Sequence, residues 1–98
     1  MDVIFAVTIR GRVQGVGYRA WAEVTALELG VEGWVRNRRD GSVEAVFFGS
    51  EEMVLTMIEL CRDGPRGAHV TAIDQREVGA AELALRRPGE LFSVLVTS

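Results

Sequence analysis

The chain has 98 residues and a formal net charge of −3 at pH 7, and it contains no lysine, so its cations are arginines. The missing lysine excludes a lysine Schiff base and a Walker-type phosphate loop, and the acidic balance argues against a nucleic-acid partner. The length predicts one domain over residues 1–98, with a core that needs neither disulfides nor a metal ion.

The sequence also carries signals about cellular setting. Cys61 is the only cysteine and cannot form an internal disulfide, which favours a reducing compartment. No apolar run approaches the roughly 20 residues that span a bilayer, and the N-terminus lacks the basic stretch of a signal peptide. We therefore expect a cytoplasmic protein without a membrane partner. We also expect a monomer, because the sequence has no coiled-coil pattern.

The first predicted element is a central β-strand over Val3–Ile9. The run is rich in β-branched and aromatic residues, and it is too short to indicate a helix. Both faces are mostly apolar, which is typical of a strand with neighbours on both sides. One face is expected to comprise Val3, Phe5, Val7 and Ile9.

A glycine-rich stretch, Gly11–Arg19 with the sequence GRVQGVGYR, joins this strand to a predicted helix over residues 20–29. Glycines before a helix let backbone N–H groups converge, and the helix N-terminus adds unpaired N–H groups and about half a positive charge. Arg19 adds a planar fork of donors that suits two phosphate oxygens. The stretch predicts a phosphate site, and the alternative is an ordinary glycine-rich turn with a solvated arginine.

The first helix is predicted to end at Gly30, because glycine commonly stops helices. Trp21 lies off the apolar face. We expect Trp21 to pack over a neighbouring loop; the alternative is an aromatic rim beside the glycine-rich stretch. The four, three, four spacing of apolar residues predicts a buried face that comprises Ala20, Val24, Leu27 and Val31.

Two strands, 33–38 and 42–48, are predicted to form a hairpin, because Asp40-Gly41 between them is a strong hairpin signal. Asn37 lies where the first of these strands enters the turn. Glu44 and Phe48 are expected to share one face of the second strand, opposite to Val43 and Phe47.

The rest of the chain predicts a second helix and two further strands. Ser50 is a suitable N-cap, and Cys61 is expected to be a small buried hydrophobe, since no partner that would activate it is apparent. A weaker strand is predicted over 70–78, a poorly patterned connection over 79–90 and a last strand over 91–96. The apolar stripe of the second helix comprises Met53, Val54, Met57, Ile58 and Cys61.

The order of these elements predicts an α+β fold. Two copies of a split βαβ unit give a ferredoxin-like βαββαβ sandwich, in which two helices cover one face of an antiparallel sheet. The strand over 91–96 would be an addition at the C-terminus.

Two blocks of this sequence resemble the signature of the acylphosphatase family, small enzymes that hydrolyse the carboxyl–phosphate bond of acyl phosphates. The first block is Gly11–Arg19, in which Tyr18 stands where the family commonly has Phe. The second block is Gly33–Asn37 (GWVRN), followed by 40–44 (DGSVE). The family has the ferredoxin-like fold, so the resemblance and the element order agree.

The resemblance implies a role for each matching residue. Arg19 would bind the phosphate of a small-molecule acyl phosphate, and Asn37 would position the attacking water. The resemblance implies neither a cofactor nor a metal ion. The backbone N–H groups that would hold the phosphate oxygens belong to Gln14, Gly15, Val16, Gly17 and Tyr18.

Other readings of the sequence remain open at this point. A ferredoxin-like module that binds phosphate or another anion without catalysis would carry the same loop. Domains of this family also occur within larger enzymes that handle carbamoyl phosphate. A zinc site or a histidine-dependent nucleophile has little support, because the chain has one histidine, His69, and one cysteine.

Overall fold

A computed structural model describes residues 1–98, in which five strands form one sheet. The predicted order of elements is confirmed, and one short helix is added to it. The elements are β1 (Asp2–Arg12), α1 (Tyr18–Leu29), β2 (Glu32–Asn37), β3 (Val43–Ser50), α2 (Glu51–Cys61), β4 (His69–Glu77), α3 (Ala80–Leu83) and β5 (Phe92–Val94).

The sheet has the strand order β4-β1-β3-β2-β5. Strand β1 lies between β3 and β4 and pairs with both in the antiparallel sense, and β2 is antiparallel to β3. These four strands confirm the ferredoxin-like arrangement. The prediction of an antiparallel sheet needs one correction, because β5 is parallel to β2 and the sheet is therefore mixed. Strand β4 runs opposite to β2. Because the chain reverses direction between β4 and β5, β5 runs in the same direction as β2.

The regular part of the last strand is shorter than predicted, but its backbone pairing continues to the end of the chain. The N–H of Leu95 donates to the carbonyl of Val35 at 2.8 Å, and the N–H of Ser98 donates to that of Asn37 at 3.0 Å. The C-terminal segment thus covers the edge of β2, which would otherwise offer unpaired backbone groups.

Both faces of the sheet are covered. The main core holds 17 buried residues between the sheet and helices α1 and α2. It includes Val3, Val7 and Ile9 from the predicted face of β1, and Phe5 of the same face packs partly buried against it. On the opposite face, Ala6, Trp34 and Val46 are buried beneath the segment that follows β4. The indole N–H of Trp34 donates to the carbonyl of Glu82 in α3 at 2.7 Å. The connection over residues 79–90, which has no clear sequence pattern, therefore closes a second, smaller core.

The predicted buried face of α1 is wrong for three of its four residues; Val31, which lies beyond the end of the helix, is buried as predicted. Val24 is 57% exposed and Leu27 is 48% exposed, and Ala20 is exposed as well. The side chains that α1 buries are Tyr18, Ala22 and Ala26, four residues apart. This stripe lies roughly opposite to the predicted one, because small alanines let the helix approach the sheet while the Tyr18 ring fills the core at its first turn.

Helix α2 matches its prediction. The Ser50 hydroxyl accepts a hydrogen bond from the N–H of Met53 at 3.2 Å, as an N-cap does. The predicted stripe is buried, with Met53 half-buried at its edge. Burial raises the pKa of the Cys61 thiol to about 12, so the thiol stays protonated at neutral pH. None of the helices in the structure has the length and apolar character needed to span a membrane.

Candidate active site

The glycine-rich stretch forms a bend between the end of β1 and the start of α1. Gly15 has φ 74° and Gly17 has φ 79°, and Gly17 is the N-cap residue of α1. A side chain at either position would meet no protein atom within 4 Å, so glycine is needed for the left-handed backbone rather than for space. The loop therefore presents the positive end of α1 to the outside.

A cavity of about 450 Å³ opens at this end of α1. It brings together both predicted catalytic residues and most of the predicted loop. Val16 is the exception, because its side chain packs against the core instead. The lining residues are Val13, Gln14, Gly15, Gly17, Tyr18, Arg19, Ala20, Glu23, Asn37 and Val94.

Arg19 lies in the first turn of α1 and is half-buried. One of its guanidinium nitrogens, Nη1, lies 3.5 Å from the carbonyl oxygen of Leu95, at the limit of a hydrogen bond. The seven ion pairs of the chain engage other arginines. Arg19 thus lines the cavity without forming an ion pair with a carboxylate.

Asn37 is the last residue of β2, and it lines the same cavity. Its position is fixed on both sides, by pairing with Val43 of β3 and by the hydrogen bond that its carbonyl accepts from the N–H of Ser98. The turn beyond it is held by Asp40, whose carboxylate accepts bonds from the N–H and the hydroxyl of Ser42 at 2.9 and 2.6 Å. These two bonds lower the pKa of the Asp40 carboxyl.

Comparison with known proteins decides the family of this chain. A sequence model of the acylphosphatase family matches residues 5–84. The chain belongs to the acylphosphatase family. A curated acylphosphatase of Bradyrhizobium diazoefficiens is 60% identical over 94 residues, which cover 96% of this chain and 95% of that protein. The chain is accordingly an enzyme of this family.

Two solved acylphosphatase structures share its fold. The structure from Coxiella burnetii has a TM-score of 0.83 and 30% sequence identity, and the match covers 96% of this chain and 93% of that one. The structure from Bacillus subtilis has a TM-score of 0.82 and 31% identity, with 97% and 99% coverage. The order of the five strands and two long helices is therefore that of acylphosphatases.

In this acylphosphatase, Glu23 is a cavity residue that the motifs did not reveal. It lies one helical turn after Arg19 on α1 and lines the cavity with it. The spacing of four residues along α1 is a signal that could have identified it, since such residues share one face of a helix. Glu23 places a negative charge in a site that otherwise favours anions.

The side chain of Gln14 has a role that no sequence pattern indicates. Its Nε2 donates to the carbonyl of Arg38 at 2.7 Å and to that of Ser42 at 2.9 Å. These acceptors lie 24 and 28 residues further along the chain, so the contact depends on the tertiary fold. It ties the glycine-rich loop to the turn that follows Asn37.

Tyr18 anchors the first turn of α1 in the core. Its hydroxyl donates to the carbonyl of Cys61 at 2.6 Å, and burial raises the pKa of its phenol. Trp21 contacts the Tyr18 ring edge-on, with centroids 5.3 Å apart, and packs partly buried against the main core. Trp21 does not line the cavity, and its expected packing over a neighbouring loop is replaced by this contact with the core.

The structure does not bring metal-ligating side chains together. No group of three or more His, Cys, Asp or Glu residues is placed to hold an ion. His69 lies exposed at the start of β4, on the far edge of the sheet from β2.

Proposed function

We propose that this enzyme hydrolyses the carboxyl–phosphate bond of small acyl phosphates to a carboxylate and inorganic phosphate, without a metal ion. The observation that carries the proposal is the single cavity that joins the glycine-rich loop, Arg19 and Asn37. The name that its relatives bear supports the same substrate class.

The phosphate would bind at the N-terminus of α1. The unpaired N–H groups of the first turn and of the loop around Gly15 and Gly17 would donate to its oxygens, and Arg19 would add a charged, two-pronged donor. The transition state of phosphoryl transfer is loose and spreads charge over the equatorial oxygens. Donors fixed in place before the reaction stabilise that charge, so Arg19 and the loop supply the positive charge that a metal ion would otherwise bring.

The water would be held by the side-chain amide of Asn37. An amide is too weak a base to take a proton, and the leaving carboxylate needs no acid to help it depart. The water oxygen bonds to phosphorus, the bond from phosphorus to the carboxylate oxygen breaks with its electron pair, and a water proton moves to a phosphate oxygen. Alignment of the water is thus the contribution of Asn37.

The test is the turnover of benzoyl phosphate by the purified protein in the presence of a chelator. Arg19→Ala is expected to lower kcat/KM by about 100-fold to 1000-fold, the usual effect of removing one preorganised donor. Asn37→Ala is expected to lower kcat by about 100-fold, because a misplaced nucleophile has an effect of that size. Arg76→Ala is the matched control, since Arg76 is an exposed arginine of β4, remote from the cavity.

Phenyl phosphate, a phosphate monoester, serves as the substrate control and is expected to be hydrolysed far more slowly. A folded Arg19→Ala variant with full activity would contradict the assignment of Arg19. A folded wild type that binds phosphate without turnover would favour a non-catalytic anion-binding module instead. A cytoplasmic location, a monomeric state and the lack of a nucleic-acid partner stay predictions.

A further inference from the structure

The two halves of the site come from separate parts of the chain. The phosphate half is the loop between β1 and α1, and the water half is Asn37 at the end of β2. One side chain joins them directly. Gln14, in the loop, uses the Nε2 of its amide to bond the carbonyls of Arg38 and Ser42 at 2.7 and 2.9 Å.

Both acceptors are immediate neighbours of the water half. Arg38 directly follows Asn37, and Ser42 directly precedes Val43, the partner of Asn37 in the β2–β3 register. An amide nitrogen carries two hydrogens, so the two bonds use its full donor capacity. The Gln14 amide nitrogen is therefore committed to the turn that holds Asn37 and has no hydrogen left to donate to a phosphate oxygen.

The turn itself does not need Gln14 to close. The N–H of Arg38 donates to the carbonyl of Ser42 at 2.9 Å, and Asp40 makes its two bonds to Ser42. The hydrogen bonds from Gln14 instead fix the position of this turn relative to the glycine-rich loop.

We propose that Gln14 is a positioning residue, whose side chain sets the distance between the phosphate site and the water held by Asn37. The proposal rests on the proposed hydrolysis of acyl phosphates. The backbone N–H of Gln14 would still face the phosphate with the other loop amides. Gln14 would thus bind phosphate through its backbone N–H and position the turn through its side chain. A change of the side chain alone tests the positioning role.

Gln14→Met keeps the length of the side chain and the backbone N–H but removes both bonds. We expect kcat to fall by about tenfold to 100-fold, because small displacements of reacting groups have effects of this size. The inhibition constant of inorganic phosphate is expected to stay within twofold of wild type. Gln75→Met makes the same chemical change on the exposed edge strand β4 and serves as the control.

Gln14→Glu gives a second readout through pH. The ionised carboxylate cannot donate and faces two carbonyl oxygens, so kcat is expected to fall further than in Gln14→Met. As the pH falls, the carboxyl takes up a proton and regains one donor. The ratio of its kcat to that of wild type is therefore expected to rise in acid, whereas the ratio for Gln14→Met stays flat.

Two outcomes would overturn the proposal while the wild type is active. One is a Gln14→Met variant with wild-type kcat, and the other is a loss of phosphate affinity in proportion to the loss of kcat. Absence of turnover in wild type would instead refute the proposed function. Should Gln14→Met fail to fold, the pH dependence of Gln14→Glu decides alone, since a flat ratio contradicts a donor role.

Discussion

At the scale of single residues, two buried groups make the chain sensitive to alkaline pH. Tyr18 and Cys61 are its only tyrosine and cysteine, and it has no lysine. Burial raises the pKa of the Cys61 thiol from 9.0 to about 12, and burial also raises the pKa of the Tyr18 phenol above its usual value. Both groups therefore keep their protons in the folded state at a pH where the unfolded chain begins to lose them.

The free energy of unfolding is expected to fall as the pH rises above about 9. A group with a raised pKa contributes its full stability below the pKa of the unfolded state and loses it as the pH rises toward the folded value. For Cys61 the loss by pH 10 is on the order of 1 kcal/mol. Urea unfolding at pH 7 and at pH 10 measures this fall in the free energy of unfolding.

The matched variant for this prediction is Cys61→Ala. It is expected to be less stable than wild type at pH 7, because it leaves a cavity, but to show a smaller fall between pH 7 and pH 10. Equal falls in the two proteins would show that the Cys61 thiol does not contribute.

The location of the candidate site residues was predictable where a motif carried them, and a side-chain contact that depends on the tertiary fold was not. The two sequence blocks predicted one site for Arg19 and Asn37, and both residues line the same cavity. The contact of Gln14 with the turn after β2 joins residues distant in the chain, so no local pattern announces it. Glu23 lies outside both blocks, but its spacing of four residues from Arg19 on α1 could have predicted that it lines the cavity.

At the scale of elements, the close contact between β2 and β3 depends on Gly33. Its φ is 142°, and a Cβ there would lie 1.8 Å from the carbonyl oxygen of Val46. Gly33→Ala is expected to lower the free energy of unfolding by about 3 kcal/mol or more, since it combines a backbone strain with a clash. Activity should fall too, because β2 carries Asn37.

Urea unfolding of Gly33→Ala against Gly49→Ala checks this prediction. Gly49 lies in β3 with ordinary backbone geometry, and a Cβ there would meet its nearest atom at 3.6 Å. Gly49→Ala should therefore be close to wild type. Similar stability of the two variants would contradict the role assigned to Gly33.

The buried face of β1 was predictable from the sequence, and that of α1 was not. The period of two in β1 identified its core face, which the structure confirms. The α1 prediction favoured large apolar residues, but α1 buries alanines and exposes Val24 and Leu27. Close helix–sheet packing selects small side chains, and a hydrophobicity pattern gives them too little weight.

At the scale of the whole molecule, charge is arranged so that the site keeps a free cation on an acidic body. Six of the 11 arginines lie within or beside the two motif blocks, so a broad basic surface could have surrounded the site. In the structure, Arg36 and Arg38 pair with Glu44, and Arg10 pairs with Asp40 and Asp74. Arg19 is the one arginine that lines the cavity, so the positive charge there is provided by Arg19 and the start of α1.

The topology of the whole sheet was predictable except at its last strand. The order of elements specified the four antiparallel strands, because consecutive elements in this fold pack in one known way. The parallel pairing of β5 with β2 could not be predicted, since it depends on the path of the segment over the second core. That path is set by Trp34, Leu83 and their neighbours after folding.

The proposed hydrolysis requires that water attacks phosphorus at the site built by these elements. The most direct measurement is enzymatic hydrolysis of benzoyl phosphate in water enriched in ¹⁸O, followed by mass spectrometry of both products. Attack on phosphorus, with the carboxylate as the leaving group, places the label in inorganic phosphate and none in benzoate. Label in benzoate would show attack on the carbonyl carbon, and it would contradict the roles proposed for Arg19, the glycine-rich loop and Asn37.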